Sequence, residues 1–124
     1  MKGKIVIVTG ANAGIGKATA AELADMGATV VLACRSKERG EAALSDLMCF
    51  GGRCFELMRL DLSDLDSVRA FAAAFAAKYD RLDALINNAG ILGRHREETK
   101  QGFELSFGVN YLGAFLLTLL LLPL

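Results

Sequence analysis

The sequence predicts an α/β fold built on a doubly wound parallel sheet, on three observations. β-branched runs without polar alternation occupy residues 5–8 and 29–33, as in strands covered on both faces. A stretch of helical periodicity follows each strand, and strands alternating with helices imply parallel pairing through right-handed crossovers. Hydrophobic residues make up 53% of the 124 positions, with thirteen glycines and one proline, which suits a packed α/β domain rather than a disordered or fibrous chain.

Taken in order, the first strand is residues 5–8 and residues 10–16 form a turn. A helix is expected from about 15 to 26, with Ile15, Leu23 and Met26 facing inward and Gly27 as the C′ glycine that ends it. Residues 29–33 form the second strand. Ser36 can cap the next helix, but Arg39 stands where a capping box has an acid, so half that signature is present. This helix is expected to reach about Phe50 and to be closed by Gly51 and Gly52. Residues 54–60 form a third strand. Ser63 or Asp64 caps a third helix, whose Leu65, Val68, Phe71, Phe75 and Tyr79 fall near helical spacing. Ala84 to Ile86 is a fourth, short strand, and residues 87–98 form a polar loop. Two further helical stretches are expected, one at 102–107 and one from Asn110 onward. No repeat or linker divides the chain, so residues 1–124 read as one domain, its sheet stopping after the fourth strand and the helices that follow.

Charge and cysteine content exclude several functions. Fourteen basic residues balance fourteen acidic ones, which argues against nucleic-acid binding. Cys34, Cys49 and Cys54 match no zinc spacing and are odd in number. They read as buried or half-buried reduced thiols of an intracellular, by default cytoplasmic, protein. Residues 111–124 are the longest uncharged apolar stretch, too short to span a bilayer; no membrane segment or signal peptide is expected. A buried helix is the better reading, and residues 116–122 serve either as core or as a subunit interface, so a homo-oligomer stays open. His95, amid charged neighbours, is expected at the surface.

The strongest motif is Thr9-Gly10-Ala11-Asn12-Ala13-Gly14-Ile15-Gly16, directly after the first strand and opening the first helix. A helix N-terminus offers unpaired N–H groups and the positive end of a dipole, which suits a diphosphate. Gly10 permits the tight turn, Gly14 removes a side chain that would block phosphate, and Gly16 lets helix and strand pack closely. The spacing is neither the common G-x-G-x-x-G nor a P-loop, since Thr19 and Lys17-Ala18 break those patterns. At the end of the second strand a carboxylate would bind the ribose of NAD, whereas an arginine would pair with the extra phosphate of NADP. Arg35 stands there, with Ser36, Lys37 and Arg39 close by and no acid before Glu38, so NADP is favoured over NAD. A solvated basic loop is the competing reading.

The T-G-x-x-x-G-x-G turn resembles the short-chain dehydrogenase/reductase family, which implies a Rossmann-type fold. Two further pieces carry the resemblance, Asp61-Leu62 after the third strand and Asn87-Asn88-Ala89-Gly90 after the fourth. It implies that Asn12, Ile15 and Leu62 join the cofactor site, that Asp61 contacts the adenine amino group, and that Asn88, Ala89 and Gly90 shape the cleft floor. Ala33-Cys34-Arg35-Ser36, Gly40-Glu41, Gly102-Phe103-Glu104, Gly108 to Gly113 and Phe115 to Thr118 are similar to the retinol-dehydrogenase-like branch. That implies NADP-dependent oxidation or reduction of a retinoid, steroid or other lipophilic alcohol or carbonyl.

The family mechanism uses an Asn, a Ser, a Tyr and a Lys. Asn110 matches the asparagine, which helps position a water. The Tyr-x-x-x-Lys pair has no match: Tyr79 is followed four residues on by Asp83, and Tyr111 by Phe115. Ser106 lies upstream of Asn110, the wrong place for the serine. The expectation is a cofactor-binding N-terminal half, incomplete at its C-terminus and without the full catalytic set. An open sheet edge and an apolar patch on the last helix should then make it marginally stable or self-associating. The alternatives are a non-catalytic binding module and a remnant without stable fold.

Overall fold

Period-two alternation along β1 (Ile5–Thr9) divides its side chains between two cores. Val6 and Val8 belong to one hydrophobic cluster and Ile7 to the other. β2 (Thr29–Cys34) does the same, with Val30 and Leu32 on one face and Val31 and Ala33 on the other. The computed structural model describes residues 1–49 and 52–124. Its order is β1, α1 (Gly14–Asp25), β2, α2 (Lys37–Met48), β3 (Cys54–Arg59), α3 (Leu65–Lys78), β4 (Ala84–Ile86), α4 (Leu105–Phe107), a π-helical segment (Gly108–Gly113) and α5 (Ala114–Leu121). The strands pair in parallel in the order β3-β2-β1-β4. Ala20 and Ala24 of α1 and Leu47 of α2 cover one face, while Val68, Phe71 and Phe75 of α3 with Leu117 and Leu121 of α5 cover the other. This is the doubly wound, Rossmann-type sheet that the strand–helix alternation predicts.

The inner face of α1 differs from the expected one. Ile15 is 80% and Met26 58% exposed, and the buried residues are Gly16, Ala20 and Ala24. The reason is distance: a Cβ on Gly16 would lie 2.5 Å from the Gly10 carbonyl oxygen, so α1 sits too close to the sheet for larger side chains. Its end matches the expectation. The Gly27 N–H bonds the Ala24 carbonyl at 2.9 Å and the Ala28 N–H bonds that of Leu23 at 3.1 Å, a Schellman pair with Gly27 at φ +88°. Gly27→Ala is expected to cost about 1–2 kcal/mol in urea unfolding with the fold retained; an unchanged midpoint would contradict that.

Ser36 caps α2 by accepting from the Arg39 N–H at 3.3 Å. The expected closure at Phe50 and Gly51 lies outside the described residues. Of the two candidates for α3, Asp64 is the cap, accepting from the Asp66 N–H at 3.0 Å. The two C-terminal helical stretches form one unbroken run: Glu104 caps α4 through the N–H groups of Ser106 and Phe107, and Gly108, Gly113 and Ala114 all have right-handed helical backbones. Only one side of this run is buried, correcting the buried-helix reading. Leu117 and Leu121 face α3, whereas Phe107, Tyr111, Phe115, Leu119 and Leu122 are exposed. Among the described residues β4 pairs only with β1 and forms one edge of the sheet. His95 is exposed as expected. Cys49 and Cys54 are exposed rather than buried; Cys34 is buried. No helix among the described residues is long and apolar enough to cross a membrane.

Candidate functional site

The strand order reverses between β1 and β4: from β1 the chain moves outward through β2 and β3, then returns to β4 on the other side. Open α/β sheets bind ligands at such a switch point, outside the carboxyl ends of the strands. A cleft of about 320 Å³ lies there, lined among others by Gly10, Asn12, Arg35, Asp61, Asn88 and Gly90. Residues far apart in sequence, after β1, β2, β3 and β4, therefore meet in one place.

The glycine turn is held from both sides. Gly10 has φ +64°, and its N–H bonds the Ala33 carbonyl at 2.9 Å. The Asn88 side-chain amide donates to the Thr9 and Gly10 carbonyls at 3.0 and 3.4 Å. Thr9, buried, donates to the Ile86 carbonyl at 3.3 Å and accepts from the Ala89 N–H at 3.0 Å. These bonds tie the end of β4 to the end of β1. A Cβ on Gly16 would lie 2.4 Å from the Asn88 amide nitrogen, so Gly16 sustains the close packing. At Gly14, φ is +55° and nothing lies within 4 Å of a Cβ position. The α1 start has Ala13 as its cap residue and no side-chain cap bond, unlike α2, α3 and α4. Its first N–H groups are left for another acceptor. An anionic group at the turn thus fits the residues present.

After β2, Arg35 and Arg39 both line the cleft. Lys37 pairs instead with Glu41 at 3.8 Å, and the Ser36 hydroxyl oxygen serves as the α2 cap. After β3, Asp61 Oδ1 accepts from the Ser63 N–H and hydroxyl at 2.9 and 2.6 Å, which fixes the carboxylate at the cleft wall beside Leu62. Burial pushes the Cys34 thiol up, against an opposing hydrogen bond from the Ala11 backbone, so it is a protonated core residue rather than a nucleophile.

Asn110 lies in the π-helical segment, a distortion often found at functional sites. Its side chain donates to the Ile91 carbonyl and accepts from the Ile91 N–H, both at 2.8 Å. It thereby clamps the segment that leaves the cleft floor. Ile15 points to solvent, and Ile15, Gly14, Gly16, Ser36 and Asn110 do not line the cleft. Sequence reasoning left out Ser63, Ile91 and Val109, which do. Val109 carries no local signal, because its place depends on where the π segment crosses the sheet.

Neither tyrosine reaches the cleft. The Tyr79 hydroxyl donates to Glu56 at 2.5 Å, and burial, then that hydrogen bond, pushes its pKa up to about 12. Tyr111 stacks between Phe107 and Phe115 on the helix exterior, with ring centroids 5.3 and 5.8 Å apart.

The family model for short chain dehydrogenase matches residues 4–124. This chain belongs to the short-chain dehydrogenase family. The human Dehydrogenase/reductase SDR family member 13 is 56% identical over 124 residues, covering 99% of this chain and 32% of that protein. Human Retinol dehydrogenase 11 is 53% identical over 123 residues, covering 98% and 39%. The resemblance to the retinol-dehydrogenase-like branch therefore holds, and this short-chain dehydrogenase chain spans between about a third and two fifths of the length of those relatives. A solved metagenomic short-chain oxidoreductase in complex with NADP superposes with TM-score 0.86 at 33% identity, covering 99% of this chain and 57% of that one.

Proposed function

We propose that this chain is the dinucleotide-binding part of an NADP-preferring oxidoreductase that interconverts an alcohol and a carbonyl on a lipophilic substrate. One observation carries the proposal: Gly10 and Asn12, in the turn that leads into the uncapped start of α1, and Arg35 line the same cleft at the sheet's switch point. The dinucleotide, when bound, supplies or accepts the hydride. The N–H groups around Gly14 to Gly16 hold its diphosphate, Arg35 holds the 2′-phosphate, and Asp61 accepts from the adenine amino group. Asn88, Ala89 and Gly90 form the floor on which the dinucleotide lies, and Asn110 keeps that floor in place through Ile91. The retinol dehydrogenases among the relatives support the lipophilic substrate class, and the NADP complex of a solved relative supports the cofactor. An intracellular, cytoplasmic setting belongs to this reading, supported by Cys34, Cys49 and Cys54 all being free thiols. Self-association through the exposed side of the C-terminal helix belongs to the same proposal.

The test is titration of the chain with NADPH and NADH. NADPH is expected to bind more tightly, and Arg35→Asp to weaken it by at least tenfold, about 1.4 kcal/mol, while NADH is spared. NADH binding tenfold tighter than NADPH to the unaltered chain would overturn the preference, and equal loss of both in the variant would remove the phosphate role from Arg35. A second reading, a module that binds the dinucleotide without turnover, draws support from Tyr79 and Tyr111 both lying away from the cleft. Hydride transfer to retinal by a chain that binds NADPH would exclude it.

A further inference from the structure

We propose that residues 97–105 form a brace that sets the width of the cofactor cleft, with Gln101 and Thr99 as its positioning residues. The inference rests on the cleft being the dinucleotide site, and it names residues outside the cleft that hold two of its walls in register.

The brace is closed on itself. The Leu105 N–H bonds the Glu97 carbonyl at 2.8 Å and the Thr99 N–H bonds that of Phe103 at 2.7 Å, around an antiparallel bridge between Glu98 and Glu104. The hydroxyl of the buried Thr99 accepts from the Phe103 N–H at 3.1 Å, and Gly102, at φ +86°, turns the chain. Neither Thr99 nor Gln101 lines the cleft. A segment cross-bonded in this way holds whatever it touches at its two ends at a fixed separation.

One end grips the wall that follows β3. The Gln101 side chain accepts from the Leu65 N–H at 3.1 Å and donates to Asp64 Oδ1 at 3.0 Å. It thereby completes the N-terminal capping of α3 from a distant part of the chain. Lys100 adds its N–H to the Ser63 carbonyl at 3.2 Å and its Nζ to Asp64 Oδ2 at 3.2 Å. Ser63 itself lines the cleft and bonds Asp61.

The other end presses on the π-helical segment. A Cβ on Gly108 would overlap the Thr99 Cγ2 methyl. Gly108 precedes Val109, which lines the cleft, and Asn110, which clamps Ile91. At the end of the same segment a Cβ on Gly113 would lie 2.5 Å from the Leu62 carbonyl oxygen. The segment is therefore wedged between the brace and the wall after β3, without slack at either glycine. In packing this tight a displacement at one contact is passed on to the next, here to Val109 and Ile91.

The experiment measures dissociation constant and stoichiometry for NADPH, NADH and 5′-AMP on the unaltered chain, Gln101→Met, Gly108→Ala, and Gly108→Ala combined with Thr99→Ser. Gln101→Met is expected to weaken all three ligands about fivefold and Gly108→Ala about tenfold, with the ratio of NADPH to NADH affinity kept within about twofold. Alanine favours a helix more than glycine does, so a loss at Gly108 comes from the Thr99 contact. Thr99→Ser removes the obstructing methyl and keeps the hydroxyl, and should recover most of that loss. A merely structural role would lower the stoichiometry through unfolded chain and leave the dissociation constants of the folded fraction unchanged. That result overturns the inference, as does a Gly108→Ala loss that Thr99→Ser does not relieve. Should Gly108→Ala fail to fold, Gln101→Met, at an exposed position, decides alone: unchanged dissociation constants overturn the brace. Variants that behave so beside an unaltered chain that binds the dinucleotides leave the cofactor site standing, whereas an unaltered chain that binds none of the three ligands overturns both.

Discussion

Replacing Gly16 by alanine is expected to lower stability by about 3 kcal/mol and to weaken NADPH binding on the order of a hundredfold. The added methyl would lie 2.4 Å from the Asn88 amide nitrogen and 2.5 Å from the Gly10 carbonyl oxygen. The second contact is backbone and cannot swing aside; the first is an amide pinned by bonds to Thr9 and Gly10. Either α1 backs away from the sheet or the turn opens, and both move the N–H groups assigned to the diphosphate. Gly14→Ala separates folding from binding. A Cβ there meets nothing within 4 Å, and the strain comes only from φ +55°, about 1–2 kcal/mol. It should leave the chain folded and still impair NADPH binding, because the methyl adds bulk at the α1 start, where the diphosphate is proposed to lie. Urea unfolding and cofactor titration on the two variants decide the matter. Gly14→Ala binding NADPH normally would remove the diphosphate from the α1 start.

The chain is expected to sediment as a self-associated species at tens of micromolar, and Phe115→Lys with Leu119→Gln to shift it at least tenfold in concentration toward monomer. Phe107, Tyr111, Phe115, Leu119 and Leu122 recur along one side of the C-terminal helical run, each at least 50% exposed. Together they leave an apolar strip on the order of 400–500 Å². No Asp, Glu, Lys or Arg occurs after Glu104, so nothing charged interrupts it. Two such strips packed together would bury roughly 800–1,000 Å², near the lower limit for a specific interface, which is why a concentration-dependent equilibrium is expected. β4, open at the sheet edge but only three residues long, adds little by strand pairing. A unaltered chain that is monomeric at every concentration would sink this expectation, as would a double variant that associates equally well.

Much of the candidate site's local geometry was legible because its determinants are local. Gly10 and Gly27 adopt the left-handed backbone their places demand, and Ser36 caps the helix it precedes. Arg35 directly follows β2 and lines the cleft, as its position in the sequence suggests. Other readings failed where distance between elements decided the outcome. Ile15 and Met26 have helical spacing with Leu23, yet the intimate contact at Gly16 turns a stripe of glycine and alanine inward instead. Asn110 was found by its motif, but nothing local shows that its amide would be spent on both backbone groups of Ile91. Lys37 and Arg39 are equivalent as letters; the structure sets them apart, with Lys37 paired to Glu41 and Arg39 lining the cleft.

By itself the sequence determined the alternation of strands and helices, the two-faced burial of β1 and β2, the glycine turn and the basic end of β2. Each follows from backbone preference or from side-chain periodicity within a few residues. The tertiary structure alone decided which side of α1 and of the C-terminal run meets the protein, which of the basic residues face the cleft, and that four strand ends converge at the β1–β4 switch point. Those outcomes depend on how closely separate elements approach, and that distance is set by contacts between residues as far apart as Gly16 and Asn88.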